Sequence, residues 1–177
     1  MILIIDMTNN KLHFLEFVKP IADIIKLEKI EIINHKKINI KKNKIRKADK
    51  IIISGNQLEK SNYDIENFFW IKDFDKPLFG ICEGMHIICR IYGGKLKNSQ
   101  EIGLIKIKVL KENKIFSKDF NAYCLHNYAV EIPEEFEVLA NSDKCIQAIK
   151  HKSKNIYGVL FHPEVRNKEM IERFVNK

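Results

Sequence analysis

The 177-residue chain is poor in the residues that break or staple a fold, with seven glycines, four prolines and four cysteines. So few glycines and prolines leave little room for a flexible linker or a low-complexity tail. The cysteines, at positions 82, 89, 124 and 145, form no Cys-x-x-Cys pair. Their spacing therefore suggests neither a disulfide framework nor a zinc motif, no metal ligand set is expected, and a reducing, cytoplasmic setting is the natural reading. No apolar run approaches the roughly 18 residues a membrane span needs. The opening Met1-Ile-Leu-Ile-Ile-Asp6 has no basic stretch and is short for a signal peptide, so neither leader nor membrane association is expected.

What the chain does have is unevenly placed positive charge. The formal net charge is +8, and Lys36 to Lys50 alone carries eight basic residues against one acid. The remainder is close to neutral, which rules out a polycation spread over the whole surface. Clustered lysines invite a nucleic-acid reading, but the segment has no interleaved aromatics and no nucleic acid is expected. A short solvated helix or loop over Lys41 to Lys47 is the simpler expectation, with docking to an acidic partner face as the sharper one. With 45% apolar and 31% charged residues, the composition is that of an ordinary globular protein. A single domain over 1–177 is expected.

The first half alternates strand and helix patterns. Ile2 to Ile5, Ile30 to Asn34, Ile51 to Gly55 and Leu78 to Cys82 read as buried strands. Leu12, Leu15, Val18, Ala22 and Ile25 share one helical face, which Pro20 should kink or split. Met85 to Tyr92 continues as a helix closed by Gly93-Gly94. Such alternation implies right-handed crossovers and a parallel sheet. From Ile102 the texture changes: Ile105, Ile107 and Val109 alternate with lysines, as in a half-exposed antiparallel strand. Further strands are expected at Ala122 to Leu125, Phe136 to Ala140, Cys145 to Lys150 and Ile156 to Phe161, with a closing helix near Asn167 to Val175. The fold class is α/β, a mixed and mainly parallel open sheet with helices on both faces and a smaller antiparallel part in the second half.

Gly80-Ile-Cys-Glu-Gly84 carries the strongest chemical signal. It falls between a buried strand and a helix, the pattern of a nucleophile elbow with Cys82 in place of serine. Small residues two positions either side keep the tight turn free of collisions. The helix N-terminus favours a thiolate and aims backbone N–H groups at an oxyanion. By itself the motif competes with simple packing, since cysteine is among the most buried residue types. Cys89, Cys124 and Cys145 take that default. Phe161-His-Pro-Glu164 shifts the balance. His162 can act as base, and Glu164, held by a proline turn, can reach the other ring nitrogen. If both strands lie in one parallel sheet, their C-terminal ends share an edge.

These segments, with Ile91-Tyr-Gly-Gly94 and Tyr157-Gly-Val-Leu-Phe-His-Pro-Glu-Val165, resemble the class I glutamine amidotransferases, whose domain is flavodoxin-like, over the full chain. Pro133 to Asp143 and the valine after His-Pro-Glu are most similar to the glutaminase subunit of archaeal two-subunit GMP synthetase. The resemblance implies a Cys82–His162–Glu164 triad acting on L-glutamine, and an oxyanion hole and pocket from Gly55, Asn56, Glu83, His86, Asn127 and Tyr128. It also implies a separate ATP-dependent synthetase subunit that receives the ammonia and aminates XMP to GMP. ATP and magnesium would belong to that partner, and this chain would need no cofactor. His126 matches a family histidine and is given a pocket-shaping role.

The departures from the family cluster around the pocket. Ser54-Gly-Asn-Gln57 stands where Ser-Gly-Gly-Pro is usual, Met85-His86 where His-Gln is usual, and Leu125-His-Asn-Tyr128 where Ser-His-Gly-Asp is usual. Leu160 replaces a common glutamine, and Met7-Thr-Asn-Asn10 a Gly-Gly-Gln run. Glu83 places a carboxylate beside the nucleophile, which opposes thiolate formation by like-charge repulsion. Two other readings therefore stand beside the glutaminase: a stand-alone hydrolase of another γ-glutamyl amide or peptide, and a catalytically impaired regulatory subunit. His13, His35 and His151 have no ligand spacing, and Trp70 with Phe68, Phe69 and Phe74 reads as packing.

Overall fold

The computed structural model describes residues 1–58 and 63–176. Four hydrophobic segments form the parallel core of the sheet: β1 (Ile2–Asp6), β2 (Ile30–Asn34), β3 (Lys50–Ile53) and β4 (Leu78–Ile81). Five further strands follow: β5 (Leu96–Val109), β6 (Phe120–Val130), β7 (Phe136–Asn141), β8 (Ile146–His151) and β9 (Ile156–Val159). The spatial order is β2-β1-β3-β4-β9-β8-β7-β5-β6. Strand β9 joins β4 in parallel, and everything beyond it pairs antiparallel. The expected mixed sheet is thus one curled layer whose parallel half ends at β9.

Alternation along β1 shows why both faces are covered. Ile2 and Ile4 join one apolar cluster with Val18, Ile21 and Phe174. Leu3 and Ile5 join another with Ile53, Met85 and Ile88. Since successive strand side chains point to opposite faces, a run of isoleucines demands helices on both. One side receives α1 (Lys11–Phe17), α2 (Lys19–Ile24) and the closing α5 (Glu169–Asn176); the other receives α3 (Lys42–Lys47), α4 (Glu83–Ile91) and a 3-10 segment at Ile65–Lys72.

The amphipathic stretch around Pro20 is split, as its proline requires. Val18 is the hinge between α1 and α2, and Pro20 sits in the first turn of α2, where its missing N–H is harmless. The break rotates the two halves apart. Val18 and Ile25 are buried and Ala22 is half-buried, whereas Leu12 and Leu15 face solvent, so the five residues do not form one continuous face. Strands β5 and β6 run longer than their apolar alternation, because cross-strand pairing carries them through Asn98 and His126. Strand β9 is shorter: Leu160 and Phe161 leave the ladder, bonded still through Leu160 N–H to the Gln147 carbonyl at 2.9 Å. Among the described residues, no helix is long and apolar enough to cross a membrane.

Candidate active site

Cys82 occupies the turn from β4 into α4 with φ 48° and ψ −100°, a conformation that non-glycine residues rarely adopt. Its N–H donates to the Val159 carbonyl at 2.7 Å, and its own carbonyl accepts from Met85 and His86 in the first turn of α4. The flanking glycines make the turn possible. A Cβ on Gly80 would lie 2.6 Å from the Gly84 backbone, and one on Gly84 would lie 2.6 Å from the Ile53 carbonyl oxygen. The spacing rule read from the sequence has this steric origin: β3, β4 and α4 meet with room for hydrogen only.

His162 reaches the same point from the far side of β9. Its N–H donates to the Tyr123 carbonyl at 2.8 Å, and its ring packs against Phe17. Nδ1 is 2.7 Å from Glu164 Oε1, with both side chains about 1% exposed. Because Nδ1 is committed to the carboxylate, Nε2 is the nitrogen left for Cys82; among the described residues no hydrogen-bond partner reaches it. Burial opposes protonation of this ring. The Glu164 carboxylate and Cys82 outweigh that penalty and hold the His162 pKa well above the ordinary histidine value. Gly55 closes the arrangement from β3: a Cβ there would be 2.6 Å from His162 Cε1 and 3.5 Å from Cys82 Cβ.

A cavity of about 570 Å³ opens in front of Cys82. Asn56, Glu83, His86, Asn127 and Tyr128 all line it, so the pocket residues expected from sequence share one space. Gly55, His162 and Glu164 lie outside the lining, packed behind the thiol. His86 is buried, and its Nε2 donates to the Tyr128 carbonyl at 3.0 Å, joining α4 to the β6 wall. Asn127 holds Gln100 across the hairpin at 2.7 Å and reaches the Leu58 carbonyl at 3.3 Å. Cys82 Sγ lies 3.7 Å from the Leu125 carbonyl oxygen.

Tyr63 and Arg90 are among the lining residues that escaped the sequence reading. Tyr63 donates its hydroxyl to Glu83 Oε1 at 2.6 Å and accepts from Arg90 at 2.9 Å. Burial, with Glu83 adjacent, pushes the Tyr63 hydroxyl far above its usual pKa, so it stays protonated and remains a donor. The Glu83 carboxylate that threatened the thiolate is thus engaged by the Tyr63 hydroxyl. Arg90 could have been found, since it follows Glu83 by seven residues and so shares its helical face. Tyr63 follows residues 59–62, outside the described part, and no periodicity points to it.

Of the remaining histidines, His35 and His151 are buried; His151 packs against Tyr92 and Phe136, and its Nδ1 accepts from the Ser153 and Lys154 N–H groups at 3.1 Å. Phe68 and Phe74 are core residues, while Phe69 is about half exposed.

The model of the glutamine amidotransferase class-I family matches residues 20–177. The chain is 43% identical over 115 residues to a protein from Methanosphaera stadtmanae named as a subunit of glutamine-hydrolyzing GMP synthase. That match covers 59% of this chain and 62% of the relative. A protein of the same name from Methanocaldococcus jannaschii is 46% identical over 100 residues, covering 52% of this chain and 53% of the relative. The matched stretch thus spans between half and two thirds of these relatives. In backbone, the chain superposes on a crystal structure described as a putative GMP synthase subunit from Thermoplasma acidophilum, with a TM-score of 0.86 and 21% identity. That superposition covers 99% of this chain and 92% of the other. A glutamine amidotransferase from Thermotoga maritima gives a TM-score of 0.71 at 19% identity, over 99% of this chain and 80% of the other. At such identities these two likenesses speak for the fold. The match over residues 20–177 settles the family: the chain belongs to the class-I glutamine amidotransferases.

Proposed function

We propose that this chain is a glutaminase subunit in which Cys82, His162 and Glu164 release ammonia from L-glutamine for a separate synthetase. The observation that carries the reading is the buried His162–Glu164 pair at 2.7 Å, set behind a strained cysteine that faces a cavity. The Cys82 thiolate attacks the side-chain carbonyl carbon of glutamine. The protonated His162, turned by Glu164 so that Nε2 faces the thiol, gives its proton to the departing nitrogen, and ammonia leaves. Water then attacks the thioester; His162 takes its proton, glutamate departs and the thiolate is restored. Backbone N–H groups at Asn56 and Glu83 are the candidates to hold the oxyanion, worth roughly 10²–10³ in rate per donor in enzymes of this type.

The names of the relatives support GMP synthesis as the use of that ammonia; amination of XMP, with ATP and magnesium on a separate synthetase subunit, completes the proposal. The test is a glutaminase assay of the purified chain, alone and with that synthetase and its nucleotides, paired with labelling by an electrophilic glutamine analogue. Glutamate release and exclusive labelling of Cys82 are expected, with Cys82→Ala lowering turnover by more than about a thousandfold. Absence of labelling under both conditions would reject the glutaminase and leave a regulatory role. Steady hydrolysis of γ-glutamyl peptides without a partner would replace it with a stand-alone hydrolase, a reading favoured by the Glu83–Tyr63–Arg90 chain in the cavity wall.

A further inference from the structure

At the cavity wall, sharing His126 with the lining, lies a second cluster that the proposed triad chemistry does not use. Glu101 in β5 and His126 in β6 are direct cross-strand partners, and Cys145 and Gln147 reach the same point from the start of β8. The Glu101, His126 and Cys145 donor atoms all lie within 4.8 Å of one another. Glu101 Oε2 is 3.6 Å from His126 Nε2, 3.3 Å from Cys145 Sγ and 2.6 Å from the side-chain amide nitrogen of Gln147. That amide nitrogen is in turn 3.4 Å from His126 Nε2 and 3.3 Å from Cys145 Sγ. These five separations run from 2.6 to 3.6 Å, so the four side chains enclose one small space, on the scale of the roughly 3.3 Å edges of a tetrahedral zinc site.

Three further observations bear on that centre. His126 Nδ1 is 3.0 Å from the Ser99 carbonyl oxygen, to which it donates; this fixes the tautomer and turns the Nε2 lone pair inward, as the outer bond of a metal-binding histidine does. Gln147 needs only a half-turn of its amide to present oxygen inward, with its nitrogen then facing Cys124 Sγ, 3.7 Å from the present oxygen. The third concerns charge. Glu101 is only 4% exposed, and its hydrogen-bond partners are the Ser142 hydroxyl, the Gln147 amide and the Cys145 thiol, all neutral. A dication would compensate that buried carboxylate.

We propose that Glu101, His126, Cys145 and Gln147 form a structural site for a divalent transition metal, Zn²⁺ being the best match to this mixed oxygen, nitrogen and sulfur set. Binding displaces the Cys145 thiol proton to solvent. One proton is released per ion, and the carboxylate and thiolate together balance the dication. Four protein ligands leave no open position, so the ion ties β5, β6 and β8 together rather than activating water. It would do so one residue from Leu125, whose carbonyl borders Cys82 Sγ. No ligand spacing announces the site along the chain, because its members come from three separate strands. This site stands independently of the glutaminase reading.

The test is metal analysis of the whole chain produced in zinc-supplemented medium, with Cys82→Ala and Cys145→Ala alongside. About one zinc per chain is expected in the wild type and in Cys82→Ala, and less than a tenth of that in Cys145→Ala. The cobalt-substituted wild type should show thiolate-to-cobalt charge transfer that persists in Cys82→Ala. Should Cys145→Ala fail to fold, alkylation of the wild type decides instead: zinc should slow modification of Cys145 at least tenfold and leave Cys82 unchanged. A wild type that takes up no zinc, even on incubation, with Cys145 alkylated at an unchanged rate, would mean a closed hydrogen-bond network and overturn the proposal. So would zinc that disappears with Cys82.

Discussion

A single methyl group at position 55 probes how tightly the reacting side chains are held. Any Cβ there meets the His162 ring at 2.6 Å, so Gly55→Ala should push the imidazole away from the thiol. We expect a fall of roughly 10²-fold in kcat, the usual consequence of displacing a catalytic group by about 1 Å, with little change in KM. Steady-state kinetics of the folded variant checks this. Glu164 acts through charge instead. Its carboxylate raises the His162 pKa, so Glu164→Gln should lower it and move the alkaline limb of the kcat/KM profile to lower pH. The stability consequence has a definite sign. Because the folded pKa is raised, the pair's stabilisation is complete below the unfolded histidine value of about 6.5, and is lost as pH rises through the folded value. Denaturation of wild type and Glu164→Gln across that window should therefore converge at high pH; a gap that widens with pH would contradict the assignment.

At the scale of elements, the joint between β4 and α4 concentrates the constraints. Gly80→Ala would place a methyl group 2.5 Å from Ile88 Cδ1 and 2.6 Å from the Gly84 backbone. Ile88 can rotate but the backbone cannot, so a loss of about 2–3 kcal/mol in urea denaturation is expected, larger than for an ordinary surface change. This joint was legible in the sequence because its requirements are local: apolar run, glycine, cysteine, glycine, helix. The parallel strands were legible for the same reason, since burial on both faces writes itself as unbroken isoleucine. The wall opposite was not. Strands β5 and β6 are long because they pair with each other through polar residues such as Asn98 and His126, and no apolar pattern records a partner. Leu12 and Leu15 misled in the opposite direction, carrying a helical spacing that the break at Val18 turns outward.

Across the whole molecule, the basic segment is a surface feature. Helix α3 buries Ile45 and presents Lys42, Arg46 and Lys47 to solvent, while Lys44 pairs with Glu31 at 2.7 Å. Reversing the three exposed charges should leave the stability of the isolated chain within about 0.5 kcal/mol. If the patch docks an acidic face of the synthetase, the same variant should bind that partner more weakly at low salt and comparably at high salt. Unchanged affinity in titrations at both ionic strengths would remove docking from its roles. The tension at Cys82 reaches beyond the site as well. A backbone held at φ 48° and ψ −100° stores on the order of 1–3 kcal/mol, which glycine would release. Cys82→Gly should therefore be inert towards glutamine yet harder to unfold than the native chain. A cysteine at this turn therefore trades resistance to unfolding for a thiol placed at the mouth of the cavity.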